Sequence, residues 1–236
     1  MKRLAFLIGG TYRASENLLP GVAADIRAWK QFLTSSLGGS WDNDEVIDLS
    51  GRSKVEVSQE LRRGVEVDYS LVCFSGHGCL VKDQFGFSVT KVFITDQDEM
   101  SEYDLNPGSP WCTMVFDCCR SHPDEEKVAF ANEASALSWP GDTSVRFEEE
   151  IKKCEKGCVK VYAADEGESA EDKRSFSRVL ISVAQHLDNY SDGVLRIDKA
   201  VLLAGEAMPA QQNPVYGGGR RLRHFPFAVL PKINLF

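Results

Sequence analysis

Short apolar runs alternate along the chain with segments in which apolar residues recur at helical spacing. Residues 3–10 (RLAFLIGG) predict a buried strand that ends in a glycine turn. The next segment predicts a helix, because its apolar residues recur every three or four positions: Val22, Ile26, Trp29 and Leu33. Residues 45–49 predict a second strand, and Ser53 with Glu56 three residues later predicts the capped start of a second helix. This alternation is typical of an α/β protein.

The third and fourth strand signals both end in residues with reactive side chains. Residues 69–78 (YSLVCFSGHG) pass from an apolar strand into His77, which stands between two glycines. Residues 111–121 (WCTMVFDCCRS) pass from an apolar strand into Asp117 and a pair of cysteines. Because open α/β sheets build their sites at the carboxyl ends of their strands, we expect the two endings to meet at one edge.

The rest of the chain extends the α/β pattern. Alternating residues at 85–95 predict a small hairpin off the main sheet, and residues 96–104 are strongly acidic. Residues 121–157 are polar, with one helical stretch near residues 146–153, and predict a long functional loop. The last third predicts a strand, two helices and a final strand: 158–163, 176–187, 196–208 and 225–230. We expect one domain over residues 1–236, with a mostly parallel, doubly wound sheet.

Composition and charge narrow the possible partners. The 236-residue chain has 27 basic and 35 acidic residues, and its formal net charge of −8 argues against nucleic acid and mildly favours basic substrates. No apolar run approaches the roughly 20 residues of a membrane-spanning helix, so we expect no membrane association. The apolar run at residues 4–8 is too short for a signal peptide. Seven irregularly spaced cysteines therefore favour reduced thiols in the cytoplasm over a disulfide framework.

His77 and Cys119 together predict nucleophilic catalysis. A cysteine attacks a carbonyl group as the thiolate, and a histidine can take the thiol proton and return it to a leaving amine. The alternative is a turn histidine and a buried thiol, which either residue alone would favour, whereas the pair at two strand ends favours catalysis. Zinc binding is a further alternative, but the cysteines and histidines lack the paired CxxC spacing of a structural site.

The motifs at residues 75–78 (SGHG) and 117–121 (DCCRS) resemble the two catalytic motifs of the caspase and metacaspase superfamily. The resemblance covers nearly the whole chain. It implies the caspase-like fold, an α/β fold with a central, mostly parallel six-stranded sheet flanked by helices on both faces. Arg120 departs from the metacaspase pattern, which usually has histidine at this position, and the closer subfamily stays open.

The resemblance implies a role for each residue of the two motifs. Cys119 matches the nucleophile and His77 the general acid and base. The N–H groups of Gly78 and Cys119 would form the oxyanion hole. Cys118 takes the variable position of the second motif, and strand alternation turns its side chain towards the core.

The resemblance also divides the chain into parts. Residues 1–120 resemble the large subunit of caspases, residues 121–157 the linker, and residues 158–236 the small subunit. Basic residues in the linker-like loop make self-cleavage a hypothesis, and Arg146 is its first candidate because it follows a flexible approach at residues 141–145. The equal alternative is a protein that acts uncut, as some metacaspase relatives do.

The resemblance also implies a pocket that binds a basic side chain of the substrate. Asp25 and Asp117 match metacaspase carboxylates that bind arginine or lysine, and Asp165 lies in an acidic loop expected at the pocket rim. Leu19 and Asp117 stand where caspases that cut after aspartate usually have arginine and glutamine. Asp25 keeps a structural alternative, because caspases have an aspartate there too.

The sequence thus predicts a cysteine endopeptidase that cleaves proteins after arginine or lysine. Cleavage after aspartate and a non-catalytic scaffold are the alternatives. The resemblance further implies a role in defence or regulated cell death, with a pore-forming or other effector protein as the substrate. We expect no cofactor and no structural metal, although acidic residues 96–104 leave calcium binding as an alternative to a solvated loop.

Overall fold

The computed structural model describes residues 1–10, 21–120, 141–168, 170 and 175–231. The α-helices within these ranges are α1 Gly21–Thr34, α2 Lys54–Leu61, α3 Ser144–Lys152, α4 Phe176–Val183 and α5 Ile197–Ala207. The strands of the central sheet are β1 Arg3–Gly9, β2 Val46–Asp48, β3 Tyr69–Ser75, β7 Trp111–Asp117, β8 Gly157–Tyr162 and β10 Val215–Gly217. The remaining strands are β4 Gly78–Lys82, β5 Ser88–Phe93, β6 Glu99–Ser101, β9 Val194–Arg196 and β11 Pro226–Val229.

The central sheet has six strands in the order β10-β8-β7-β3-β1-β2. Strands β8, β7, β3, β1 and β2 are parallel, and β10 joins β8 in the antiparallel direction. The predicted six-stranded, mostly parallel α/β architecture is therefore confirmed. The capping box is confirmed as well, since the hydroxyl of Ser53 accepts from the N–H of Glu56 and the Glu56 carboxylate accepts from the N–H of Ser53.

The sixth strand of the central sheet is not the one the sequence suggests. Residues 225–230 do contain a strand, β11, but it pairs antiparallel with β9 in a separate two-stranded sheet. Phe227 of β11 stacks on Phe32 of α1 with the ring centroids 5.0 Å apart, and it meets Trp29 edge-on. β11 thus belongs to the helical layer, and the short β10 takes the sheet edge.

Side chains of the central strands alternate between two apolar cores. In β1, Ala5 and Leu7 face one core and Phe6 and Ile8 face the other. The first core, which we term the helical face, includes residues of α1, α3, α4 and α5. The second core, the mixed face, includes residues of α2 and of strands β5 and β6. Helices on both faces, as predicted, cover the sheet.

An antiparallel three-stranded sheet, β4-β5-β6, packs on the mixed face. The predicted hairpin at residues 85–95 is confirmed as an element off the main sheet, but it is larger than expected. It extends to Gly78, directly after the histidine, and to Ser101 inside the acidic stretch. A solvated loop over residues 96–104 is therefore wrong in part, because Glu102 is buried and accepts a hydrogen bond from Tyr162.

Candidate active site

The sheet register places the histidine and cysteine motifs side by side. Strands β3 and β7 are neighbours in parallel register, and their last paired residues are Ser75 and Asp117. His77 and Cys119 each follow that pair by two residues. Neighbouring strands lie about 4.8 Å apart, so both side chains leave the same end of two adjacent strands. This edge is the carboxyl edge predicted for the site.

Backbone hydrogen bonds hold the two motifs together beyond the strands. The N–H of Gly76 donates to the carbonyl of Asp117 over 3.1 Å, which joins the two strand ends. The carbonyl of His77 accepts from the N–H of Phe93 in β5 over 3.0 Å. The histidine backbone is therefore fixed between the central sheet and the antiparallel sheet. Its side chain remains partly exposed.

The two adjacent cysteines lie in different environments. Cys118 is 2% exposed in the core of the mixed face, and burial raises the pKa of its thiol well above the usual range. Cys119 is partly exposed, and its Sγ lies 3.6 Å from the carbonyl oxygen of Ala170. The predicted inward direction of Cys118 is confirmed. Cys119 is the more accessible of the two thiols, as a nucleophile requires.

Gly78 occupies a position with no room for a side chain. A Cβ atom there would lie 2.7 Å from Sγ of Cys118 and 2.9 Å from the carbonyl oxygen of Lys91. Glycine therefore lets the strand β4 backbone approach β7 directly beside the histidine. This close approach suits the predicted role of the Gly78 N–H group in an oxyanion hole.

A buried acidic cluster lies behind the strand ends on the helical face. We define it by Asp25 of α1, Ser75 of β3, Asp117 of β7, and Ser175 and Arg178 at the start of α4. Oδ1 of Asp25 accepts from Nε of Arg178 over 2.9 Å, and Oδ2 accepts from the Ser75 hydroxyl over 2.7 Å. Burial raises the pKa of Asp25 to about 7, and the Asp117 carboxylate adds to the rise.

Asp117 is held by the first turn of α4. The hydroxyl of Ser175, the N-cap of that helix, donates to Oδ2 over 2.9 Å, and the N–H of Ser177 donates to the same oxygen over 2.7 Å. Burial raises the pKa of this carboxyl group too, while the hydrogen bond from the Ser177 N–H lowers it. Asp117 therefore lies at a helix N-terminus, which favours the ionised form.

Sequence reasoning missed Arg178 and the serines of the acidic cluster. Arg178 is a buried cation in the apolar run Phe176–Val183, and this break in the pattern was the signal that could have marked it. Ser175 stands three residues before Arg178 at a helix start, in a typical N-cap position. Their role becomes visible only once α4 packs beside α1.

Asp165 lies apart from the acidic cluster, in an exposed turn after β8. Its N–H donates to Glu168 over 3.2 Å, and Oδ1 accepts from the N–H of Glu166. The turn is tied to the residue after Cys119, because Arg120 exchanges backbone hydrogen bonds with Gly167 and Glu168. A rim position for Asp165 stays a prediction.

Arg146 follows a segment that is less flexible than the sequence suggests, since α3 already begins at Ser144. It lies in the first turn of α3, and its guanidinium donates to the carbonyl of Leu230 over 2.6 Å. The next residue, Phe147, is 3% exposed in the core. Cleavage after Arg146 would need local unfolding of α3, so this choice of site is disfavoured. The other part of the linker-like loop, residues 121–140, lies outside the described residues.

The acidic residues of the stretch 96–104 interact with different partners rather than with one another. Asp98 accepts from the N–H of Lys54, Glu99 pairs with Lys91, and Glu102 pairs with Lys160 at 3.3 Å. Within the described ranges, no group of three or more His, Cys, Asp or Glu side chains is placed to hold a metal ion. None of the helices in those ranges combines the length and apolar character that a membrane span requires.

Comparison with known proteins agrees with this geometry. A family model described as the caspase domain matches residues 2–213. Metacaspase-9 of Arabidopsis thaliana is 28% identical over 162 residues, which cover 58% of this chain and 50% of the relative. Metacaspase-1 of Meyerozyma guilliermondii is 26% identical over 144 residues, which cover 51% of this chain and 35% of the relative. The matches thus span half or less of these two relatives.

Solved structures share the fold. Protein GSU0716 from Geobacter sulfurreducens superposes with a TM-score of 0.59 at 12% identity, over 98% of this chain and all of the other. Caspase-1 from Spodoptera frugiperda superposes with a TM-score of 0.56 at 11% identity, over 91% of this chain and 85% of the other. The family match over nearly the whole chain, together with a caspase among the structural neighbours, shows that this protein belongs to the caspase domain family.

Proposed function

We propose that this protein is a cysteine endopeptidase that cleaves polypeptides after arginine or lysine. The observation that carries the proposal is the juxtaposition at one sheet edge. His77 and Cys119 follow the same registered pair of strand ends, and the carboxylate of Asp117 lies two residues before the thiol. A nucleophile, a base and a recognition group thus come from adjacent positions of one scaffold.

The proposed reaction proceeds through an acyl-enzyme. His77 takes the proton of the Cys119 thiol, and the thiolate attacks the carbonyl carbon of the scissile peptide bond. The N–H groups of Gly78 and Cys119 donate to the oxyanion of the tetrahedral intermediate. His77 then gives the proton to the leaving amine, and the C–N bond breaks. Water, deprotonated by His77, hydrolyses the thioester and restores the thiol.

Selection of a basic residue is supported by the charge of the site. Asp25 and Asp117 are the two carboxylates of the acidic cluster, which contains one cation, Arg178. Burial raises the pKa of both carboxyl groups, and the hydrogen-bond donors to each of them oppose this rise and favour the ionised form. Such a site attracts a cationic side chain and repels an aspartate. The natural substrate is a protein, and a pore-forming or other effector in defence or regulated cell death remains the hypothesis from the family resemblance.

A panel of fluorogenic peptides tests the proposal. The peptides carry Arg, Lys, Asp or Leu before the scissile bond and are otherwise identical. We expect turnover of the Arg and Lys peptides by the wild type and by Cys118→Ala, and none by Cys119→Ala. Preference for Asp would support an aspartate-specific protease instead, and no turnover of any peptide would support a non-catalytic scaffold.

Self-cleavage in the linker-like loop is a separate part of the proposal. Intact-mass measurement of the purified wild type beside Cys119→Ala decides it. Two fragments in the wild type alone, with a new amino terminus after a basic residue, would support self-cleavage. One intact species in an active preparation would show that cleavage is not required.

A further inference from the structure

The acidic cluster already contains a cation of the kind that the proposed pocket would bind. Nε of Arg178 donates to Oδ1 of Asp25 over 2.9 Å, and the Arg178 side chain is 7% exposed. The Ser75 hydroxyl occupies the other oxygen of Asp25. With Asp25 itself 2% exposed, a substrate side chain cannot reach its carboxylate while Arg178 is in place.

The carboxylate of Asp117 has a different set of hydrogen-bond donors from that of Asp25. The hydroxyl of Ser175 and the N–H of Ser177 both donate to Oδ2. Among the described residues, the two hydrogen bonds of standard geometry to this carboxylate both end on Oδ2, and the Ser177 side chain lies nearby. Asp117 is also the more exposed of the two acids, at 8% against 2% for Asp25. Oδ1 of Asp117 is therefore the carboxylate oxygen best placed to receive a substrate cation.

We propose that Arg178 is a specificity-determining residue, which fills the cation position of Asp25 from within the chain and leaves Asp117 to meet the substrate. The inference rests on the proposed function and deepens it. Two carboxylates and one guanidinium leave one net negative charge when both acids are ionised, and one basic substrate side chain neutralises it. A single carboxylate oxygen, Oδ1 of Asp117, cannot form a bidentate pair with an arginine guanidinium. Substrates with arginine and with lysine should therefore be accepted alike.

Two substitutions of Arg178 separate its charge from its hydrogen bond. In Arg178→Gln, the amide nitrogen stands at the same distance along the side chain as Nε of arginine, so a donor to Asp25 is kept and the cation is removed. Arg178→Lys keeps the cation and replaces the planar group. The measurement is kcat/KM for peptides with Arg before the scissile bond, divided by kcat/KM for norleucine peptides. This ratio does not depend on the folded fraction of a preparation.

The charge model predicts opposite shifts for two variants. Removing the cation in Arg178→Gln should raise the Arg-to-norleucine ratio about tenfold, and Arg178→Lys should leave it within about threefold of the wild type. Asp25→Asn removes a negative charge and should lower the ratio about tenfold. The Asp25 variant also keeps the inference testable if Arg178→Gln does not fold.

The outcomes are distinguishable from failure of the proposed function. A wild type without preference for Arg or Lys over norleucine rejects the proposed function. A wild type with that preference, whose ratio is unchanged or lower in Arg178→Gln, overturns this inference alone. An unchanged ratio in Asp25→Asn also overturns it, because the buried ion pair would then serve structure only.

Discussion

The two faces of the central sheet differ where its strands end. On the helical face, β3 and β7 end in Ser75 and Asp117, whose side chains hydrogen-bond to α1 and α4. On the mixed face, the same strands end in Phe74 and Phe116, and the buried Cys118 follows. One face therefore changes from apolar to polar at the carboxyl edge, and the other stays apolar past the end of the strand.

This difference shows how the alternation of side chains along a strand places the candidate site residues on one face of the sheet and core residues on the other. Because side chains alternate, residues two apart share a face, so Asp117 and Cys119 point one way and Cys118 the other. Polar groups on the helical face are satisfied by a helix N-terminus and an arginine. On the mixed face the ends of the same two strands carry no charged side chain. The four following predictions test this separation, in order of decreasing expected effect.

The largest difference in activity is expected between substitutions of the two adjacent cysteines. Cys119→Ala should lower kcat/KM by more than roughly 10³-fold, because it removes the nucleophile. Cys118→Ala should stay within about threefold in kcat/KM, with a modest loss of stability from the small cavity. Steady-state kinetics on an arginine peptide measures both. Loss of activity in Cys118→Ala, with Cys119→Ala active, would reverse the assignment of the two faces.

Asp117→Asn should lower kcat/KM for arginine peptides by about 10²- to 10³-fold, since a buried carboxylate paired with a charge contributes on the order of 3–5 kcal/mol. Asn keeps an acceptor for Ser175 and Ser177, so the fold should remain intact. Asp44→Asn, in the exposed turn before β2 at the opposite edge of the sheet, is the matched control. Equal losses in both variants would mean that Asp117 has no special part in recognition.

Gly78→Ala tests the close approach of β4 to β7. The added methyl would meet Cys118 and the carbonyl of Lys91, at a cost of about 1–3 kcal/mol in unfolding free energy. Combining it with Cys118→Ala should restore part of that loss, because Sγ is removed but the Lys91 carbonyl remains. Thermal melts of the four proteins in the cycle measure it. If the loss of stability in the double variant equals the sum of the losses in the two single variants, contact with Cys118 is not the cause of the Gly78→Ala destabilisation.

The smallest effect is a pH dependence of stability. Asp25 has its pKa raised from 3.8 to about 7 by burial, so the folded state binds more protons than the unfolded state between these values. The contribution of Asp25 to the unfolding free energy should therefore fall as pH rises from about 4 to about 7. Asp25→Asn removes this contribution, and its difference from the wild type should change with pH over that window. A constant difference would contradict the raised pKa.

The place of the histidine and cysteine motifs in the fold could be predicted because it follows from local pattern. His77 and Cys119 each end an apolar strand, and the alternation at Cys118 is a property of the strand alone. The capped start of α2 was equally local. These features need no knowledge of which distant segments pack together.

The contacts of Asp25 could not be predicted, because they depend on tertiary packing. Its partner Arg178 is 153 residues away in sequence, and only the packing of α1 against α4 brings them together. The short strand β10 has three residues next to a glycine-rich segment, too few to show a period of two. In α3, the first turn buries Phe147 in the core, which overrides the flexible approach expected before Arg146.

The central claim is that Cys119 is the nucleophile of a site that selects a basic residue. Peptide chloromethyl ketones ending in arginine or in aspartate test both parts, with intact mass and peptide mapping as the readout. We predict a single adduct on Cys119, formed faster by the arginine reagent and much more slowly in Asp117→Asn. An adduct on Cys118, no adduct, or faster reaction with the aspartate reagent would contradict the claim.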